Sequence, residues 1–247
     1  NAIAAYMQAL RRIPDNGSLY RKLGSAYQNF GKIEKALAMH EKSVQFMPDD
    51  GEAWKDMGTV QLKLGRYDDA LYSFQKATEK MPHSPECYER EGDALSGLGR
   101  FTEASQAYAQ AFLLNQQNPD LIRKRADALE KSRDYFSLLG VIRQLSDIEP
   151  GNVSIWKWMG DVHSRVGDYD SALSAYNRTV ELNPDDDGLW AGRGDVLLQL
   201  GELQSGMESY ERALAINPKS ADAWRGVGRI DAHRGDFSKA VSAYSMA

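Results

Sequence analysis

The sequence predicts an all-α solenoid, a stack of antiparallel helix pairs, and two observations support this fold class. A proline recurs every 34 residues at six of seven expected places, with Gln116 as the exception, and two glycines recur at the same interval. Between these markers, apolar residues follow the spacing of amphipathic helices. Because one helix pair cannot bury its apolar face alone, pairs repeated along a chain stack on one another.

We number each repeat from the third residue after its proline, so that the seven repeats begin at residues 17, 51, 85, 119, 153, 187 and 221. Position 8 is mostly glycine, which lets a neighbouring helix approach closely. Position 15 is also mostly glycine and suits the left-handed turn that ends a helix. Position 24 is mostly aromatic, and position 20 is mostly small.

Each repeat is predicted to contain two helices. Apolar residues at positions 3, 4, 7, 10 and 11 indicate the first helix, and those at 17, 20, 21, 24, 27 and 28 indicate the second. Residues 1–16 match the second helix of an earlier, partial repeat. We therefore expect a single array over residues 1–247. Both ends fall inside predicted helices, which suggests cuts through a longer array.

Composition excludes several classes of function. The net charge of −5 argues against nucleic acid as the main ligand, since binding phosphates requires a basic surface. No window approaches 18 consecutive apolar residues, so no membrane helix is expected. The chain lacks a basic-then-apolar leader, and we expect a cytoplasmic location. The single cysteine excludes an internal disulfide and a cysteine-rich metal site.

Residues with reactive side chains fall in packing positions. Cys87 occupies position 3, where every other repeat has an apolar residue, while His40 and His163 occupy the packing positions 24 and 11. No two histidines have metal-ligand spacing, and none pairs with a nucleophile. The sequence therefore predicts no catalytic residue, no metal and no cofactor, and a protein that is not an enzyme.

Several repeats carry a known signature. An aromatic residue, a large apolar residue three places later, and glycine directly after it resemble the signature of the tetratricopeptide repeat (TPR) family. The segments that match are Tyr20-x2-Leu23-Gly24-x2-Tyr27, Trp54-x2-Met57-Gly58 and Trp156-x2-Met159-Gly160. The resemblance implies a right-handed superhelix whose first helices line a concave groove. It also implies a protein-binding role, because the family includes co-chaperones, assembly scaffolds and enzyme appendages.

Position 9 of the predicted groove is acidic in four consecutive repeats, at Asp93, Asp127, Asp161 and Asp195. We expect these aspartates to face basic groups of a bound peptide or protein. The alternative is a solvated surface whose charges pair at i, i+4 spacing along each helix. The candidate partner-binding residues are Arg21, Lys55, Thr59, Arg90, Asp93, Arg123, Asp127, Lys157, Trp158, Asp161, Asp195 and Arg229.

Trp158 is unusual because it occupies position 6, which is mostly polar. The next two repeats have Gly192 and Gly226 at this position, which suggests an aromatic wall above open space. Such an aromatic residue often contributes much of the binding energy. The alternative is that Trp158 packs toward the fourth repeat.

The fourth repeat, residues 119–152, departs from the pattern. It has Ile122 in place of an aromatic residue, Arg125 at position 7, Ala126 in place of glycine and Arg133 at the turn. One interpretation is ordinary drift within a regular array. The other is a seam between two modules of three repeats each, where the superhelix changes pitch.

Co-chaperones of this family bind a partner's C-terminal carboxylate with Lys and Asn at positions 5 and 9, then Asn at 6, and then Lys and Arg at 2 and 6 of the third repeat. The residues in these places are Arg21, Ser25, Asp56, Glu86 and Arg90 from the first repeat onward. From the second repeat onward they are Lys55, Thr59, Arg90, Asp120 and Lys124. The chain therefore lacks this clamp.

The leading hypothesis is an interaction scaffold that binds a protein segment in its concave groove. One alternative is the recognition arm of a larger enzyme or receptor. A further alternative is a scaffold that self-associates through exposed ends of the array.

Overall fold

The computed structural model describes residues 2–247, so Asn1, which begins the predicted partial repeat, lies outside the described residues. Within this range the chain forms fifteen α-helices and no strand. The helices are α1 (Ala2–Arg12), α2 (Gly17–Asn29), α3 (Ile33–Phe46), α4 (Gly51–Lys63), α5 (Tyr67–Lys80), α6 (Pro85–Gly97), α7 (Phe101–Leu114), α8 (Pro119–Ser132), α9 (Tyr135–Ile148), α10 (Val153–Val166), α11 (Tyr169–Leu182), α12 (Asp187–Gln199), α13 (Leu203–Ile216), α14 (Ala221–His233) and α15 (Phe237–Met246).

The helices form two compact units, one ending at Asp134 and the other running from Tyr135 to Ala247. In the first unit, α2 packs on α3, α4 on α5 and α6 on α7, and each second helix also packs on the next first helix. The second unit repeats this arrangement with the pairs α10 and α11, α12 and α13, and α14 and α15. Each unit is therefore a stack of helix pairs, and the predicted all-α solenoid class is confirmed.

A polar residue two places after the proline, or after Gln116 in its place, caps each of six first helices. The side chain of Asn16 accepts a hydrogen bond from the backbone N–H of Leu19 at 2.9 Å, and Asp50 accepts one from Glu52 at 3.0 Å. The other four capping side chains are Ser84, Asn118, Asn152 and Asp186. These bonds satisfy backbone donors that have no partner inside the helix.

The glycine at position 8 lies against the ring at position 24 of the same repeat. A Cβ atom on Gly58 would lie 2.9 Å from the ring of Phe74, and one on Gly194 would lie 2.6 Å from the ring of Tyr210. The predicted close approach is confirmed. It is an aromatic side chain from the second helix that occupies the space.

Position 15 adopts the left-handed backbone conformation in every repeat. Its six glycines have φ between 70° and 81°, as predicted for a turn that ends the first helix. Arg133 occupies this position in the fourth repeat with φ of 60°, and it is the one non-glycine residue with positive φ in residues 2–247.

The tryptophans at position 4 fix the turn between repeats. The indole N–H of Trp54 donates to the carbonyl oxygen of Pro48 at 2.8 Å, six residues earlier. The same bond joins Trp156 to Pro150, Trp190 to Pro184 and Trp224 to Pro218, at 2.8 to 2.9 Å. The turn proline therefore limits the backbone and also accepts a hydrogen bond from the next helix.

Candidate functional site

The candidate site in each unit is the surface formed by positions 2, 5, 6 and 9 of its first helices, which we call the first-helix face. In the first unit it lies on α2, α4, α6 and α8, and in the second unit on α10, α12 and α14. Some successive first helices touch, since α2 contacts α4, α4 contacts α6 and α12 contacts α14. Side chains from consecutive repeats can therefore meet there.

Ion pairs join consecutive repeats across the first-helix face of the first unit. Lys55 Nζ lies 2.9 Å from a Glu86 carboxylate oxygen, one repeat further along the chain. Lys124 Nζ lies 2.7 Å from Glu89 and 2.8 Å from Asp93, one repeat back. Arg21 lies 3.8 Å from Asp50. The predicted residues of this unit therefore do share a surface, and oppositely charged side chains accompany them.

Other predicted residues in the first unit interact within their own helix. Arg123 pairs with Asp120 at 2.9 Å, and Asp127 pairs with Lys131 at 2.7 Å. The Thr59 hydroxyl donates to the backbone carbonyl of Lys55 at 2.8 Å. These exposed helix pairs match the i, i+3 and i, i+4 interactions of a solvated surface.

Three of the four position-9 aspartates accept a hydrogen bond from a buried tyrosine at position 24 of the same repeat. Tyr108 donates to Asp93 at 3.0 Å, Tyr176 to Asp161 at 2.5 Å and Tyr210 to Asp195 at 2.7 Å. Burial and, next, the adjacent aspartate raise the pKa of the Tyr108 and Tyr210 hydroxyls far above the usual range. The tyrosines therefore remain neutral donors.

The sequence contains a signal for these pairs that appears only when two repeat positions are compared with each other. Positions 9 and 24 vary together in five of the seven repeats: Asp occurs with Tyr in three, while Ser25 occurs with His40 and Thr59 with Phe74. Asp127 departs from this rule because its repeat has Ile142 at position 24. The three paired aspartates thus have a structural role that their charge alone does not reveal.

Cations also accompany these aspartates. Lys157 lies 2.8 Å from Asp161 on the same helix, and Arg90 lies 3.2 Å from Asp93. Asp195 has no cation on its own helix at these spacings, but Arg229 of the next repeat pairs with it. All four aspartates of the predicted acidic line therefore have a cation beside them in this structure.

At Gly192 and Gly226 an aromatic ring from the preceding repeat occupies the place that a side chain would take. A Cβ atom on Gly192 would lie 2.5 Å from the ring of Tyr176, and one on Gly226 would overlap the ring of Tyr210. The ring at position 24 thus lies between the position-8 glycine of its own repeat and the position-6 glycine of the next. Trp158 itself is half-buried.

Cys87 and His40 are both buried, as their packing positions predicted. Burial raises the pKa of the Cys87 thiol, which disfavours the reactive thiolate. His163 is half-buried, and its Nδ1 atom lies 3.0 Å from an Asp168 carboxylate oxygen. No helix within residues 2–247 combines the length and the apolar character needed to span a bilayer.

Several solved structures share this fold. YrrB, described as a TPR protein with an unusual peptide-binding site, is 17% identical with a TM-score of 0.57, over 74% of this chain and 95% of that one. The C-terminal part of a TPR protein from Cytophaga hutchinsonii is 14% identical with a TM-score of 0.66, over 91% and 93%. A chain of the Naa15/Naa10 complex with HypK-THB is 14% identical with a TM-score of 0.75, over 98% of this chain and 39% of that one. At these identities the likeness concerns the fold alone.

Comparison at the level of sequence gives the family. No curated protein matches this chain. One tetratricopeptide repeat family model matches residues 31–85, 159–221 and 208–247, and a second matches residues 61–128. Together with the helix pairs and their recurring glycines, these matches show that the chain belongs to the tetratricopeptide repeat family, whose repeats generally form non-catalytic scaffolds for protein–protein interaction.

Proposed function

We propose that this scaffold binds an extended or helical segment of a partner protein along its first-helix face, and that the segment carries charges of both signs. The observation that supports this most is the arrangement of charge. Cations and carboxylates alternate on this face and join consecutive repeats, as in the pairs of Lys55 with Glu86 and of Arg229 with Asp195. The same fold has a peptide-binding site in YrrB.

The exposed pairs on this face can be exchanged for contacts with a partner at low cost. The side chains of Arg123, Asp127 and Lys157 are 44%, 59% and 47% exposed. Ion pairs at such sites contribute about 0–1 kcal/mol each, so a partner's charges can replace them without unfolding the helix. Charge complementarity would then set the orientation and the rate of binding.

Trp158 supplies an apolar contact in the same proposal. It is half-buried, so part of the residue remains accessible to a partner. It lies one residue from Lys157 and three from Asp161, on the helix whose exposed charges belong to the first-helix face. Tryptophan is enriched among the few residues that carry most of the binding energy at protein interfaces.

A charge-reversal experiment tests the proposal. Peptides selected from a random display library on the wild-type protein are measured against Arg123→Glu/Asp127→Lys/Lys157→Glu. We expect their Kd to rise by about tenfold or more, because about 1.4 kcal/mol of lost charge complementarity is enough for that change. Fluorescence anisotropy at low and high salt gives the Kd values.

The matched control makes the same three types of substitution on second helices, as Lys76→Glu/Asp170→Lys/Arg178→Glu. These residues lie on α5 and α11, away from the first-helix face, and we expect less than about a twofold change in Kd. Circular dichroism confirms that both variants fold. Equal binding by the two triple variants would show that peptides bind elsewhere.

A further inference from the structure

The second unit contains a polar notch on the first-helix face between α10 and α12, with a volume of about 380 Å³. Its walls include the carboxylates of Asp161 and Asp195 and the ring of Tyr176, and Gly192 leaves one side without a side chain. The remaining lining residues are Ser164, Arg165 and Val196. We call this the Gly192 notch.

The first unit shows what occupies the equivalent place. There the Asp93–Tyr108 pair corresponds to the Asp161–Tyr176 pair. In the repeat that follows each pair, position 6 is Lys124 in the first unit and Gly192 in the second. Lys124 Nζ donates to Asp93 at 2.8 Å and to Glu89 at 2.7 Å, and it lies 5.7 Å from the centre of the Tyr108 ring. An ammonium group thus fits against an Asp–Tyr pair of this kind, where it gains both ion-pair and cation–π attraction.

A second Asp–Tyr pair also receives a cation from the repeat that follows it. The Arg229 guanidinium contacts Asp195 and lies 3.3 Å from the Tyr210 hydroxyl. Here position 6 is Gly226, and the arginine comes from position 9. Two different residue positions therefore deliver a cation to the same chemical arrangement.

The Asp161–Tyr176 pair lacks this contribution from its neighbour. The following repeat presents Gly192 at position 6 and Asp195, another carboxylate, at position 9. Asp161 is paired with Lys157 of its own helix, whose side chain is 47% exposed and can turn away into solvent. The Ser164 hydroxyl oxygen, buried at the same notch, has no hydrogen-bond partner among the described residues.

We infer that the Gly192 notch receives the ammonium or guanidinium group of a lysine or arginine side chain from a bound partner. This inference rests on the proposed function and specifies one contact of it. Asp161 supplies the charge, since Asp195 is already paired with Arg229, the Tyr176 ring supplies a π face, and the Ser164 hydroxyl supplies an acceptor. Lys157, Arg165 and Arg229 are the cations near the notch, and the entering group displaces Lys157 from Asp161.

Single-residue probes test this contact without a partner protein. The ¹⁵N-labelled protein is titrated with N-acetyl-lysine methylamide and, separately, with the norleucine compound, which has nearly the same shape and no charge. We expect the lysine compound to shift the amide signals of Gly192 and Val196 with a Kd on the order of millimolar, and norleucine to leave them unchanged. Added salt should weaken the lysine effect.

Two matched variants locate the effect. Asp161→Asn keeps an acceptor for the Tyr176 hydroxyl but removes the charge, and we expect it to weaken lysine binding by about tenfold or to abolish it. Asp170→Asn changes an exposed aspartate on the second helix α11, away from the notch, and it should leave the titration unchanged. The dispersion of amide signals shows that both variants remain folded.

Equal shifts with lysine and norleucine would overturn the inference, as would an Asp161→Asn variant that binds lysine normally. Shifts at Gly192 with N-acetyl-glutamate methylamide alone would indicate an anion site at Arg165 and would also overturn it. Selected peptides that bind wild type and Asp161→Asn equally would contradict the notch while leaving the first-helix face proposal intact. If none of the peptides bound the protein while the lysine titration was preserved, only the proposal of peptide binding along the first-helix face would be contradicted.

Discussion

At the scale of single residues, the aspartates at position 9 have two neighbours of different kinds. Tyr176 and Tyr210 donate hydrogen bonds to Asp161 and Asp195 from within the helix pair, at 2.5 and 2.7 Å. Cations approach the same carboxylates from the surface. These aspartates therefore connect the buried ring at position 24 to the charged surface, so a substitution there affects both packing and recognition.

His40 occupies the ring position at 24 without any hydrogen bond to its two ring nitrogens. Burial and, to a lesser extent, the charge of Arg21 lower its pKa from 6.5 to about 4. Between these two pH values the unfolded chain binds a proton that the folded protein does not bind. Stability therefore falls as the pH falls from about 6.5 toward 4, and above 6.5 this residue has no effect on the pH dependence.

We predict that His40→Phe removes this loss. Phe74 already fits the equivalent place beside Gly58, so the ring itself is tolerated. On acidification from about pH 7.5 to pH 5, the wild type should lose about 2 kcal/mol more unfolding free energy than the variant. Urea unfolding at both pH values measures the difference. His83→Phe changes an exposed histidine and serves as the control. If His40→Phe lost as much stability on acidification as the wild type, the assignment of this loss to His40 would be contradicted.

At the scale of helices and turns, the first helix ends at a residue in the left-handed conformation. Glycine occupies six of these places, and Arg133 occupies the seventh with φ of 60°. A side chain with a Cβ atom is strained there by about 1–2 kcal/mol. The fourth repeat therefore forms this turn without the glycine that the other six repeats have.

We predict that Arg133→Gly stabilises the protein by about 1 kcal/mol, since relief of this strain exceeds the extra backbone entropy that glycine gives the unfolded chain. The reverse change, Gly99→Arg, should destabilise the turn of the third repeat by a similar amount. Urea unfolding of both variants checks the signs. A loss of stability in Arg133→Gly would mean that the arginine side chain makes contacts worth more than the strain.

At the scale of the whole molecule, stability in a repeat array is close to a sum over repeats and their nearest neighbours. Tyr108→Phe and Tyr210→Phe remove the same hydroxyl from the first and the second unit. Each should cost about 1–2 kcal/mol, because a carboxylate loses a donor. We predict that hydrogen exchange speeds up in the unit that carries the substitution and changes little in the other.

Mass spectrometry of peptides from α6 to α8 and from α12 to α14 distinguishes faster exchange confined to one unit from faster exchange in both units. If both units lost protection equally in both variants, the chain would unfold as one cooperative body, contrary to the nearest-neighbour expectation. The two interpretations of residues 119–152, ordinary drift and a seam between modules, both remain open, and a change of protection that stops within those residues would support the seam.

The amino-acid sequence alone predicts the fold class, the period and the helix pairs. It also predicts the place of each buried ring and each turn glycine. These follow from local rules: proline and glycine restrict the backbone, and apolar spacing of 3.6 residues defines a helix face. A pattern repeated seven times makes those rules much more certain than one occurrence would.

The contacts of the polar residues, by contrast, depend on how the helices pack against one another. Asp195 pairs with Arg229, which is 34 residues further along the chain, and with Tyr210, which is 15 residues further. The spacing of residues within one helix predicts neither pair. The same holds for Gly192, whose missing side chain accommodates Tyr176 of the preceding repeat. Charged side chains are long and reach partners that depend on how helices are placed side by side. Their roles on the first-helix face therefore follow from packing between helices, which the periodicity of a single helix does not determine.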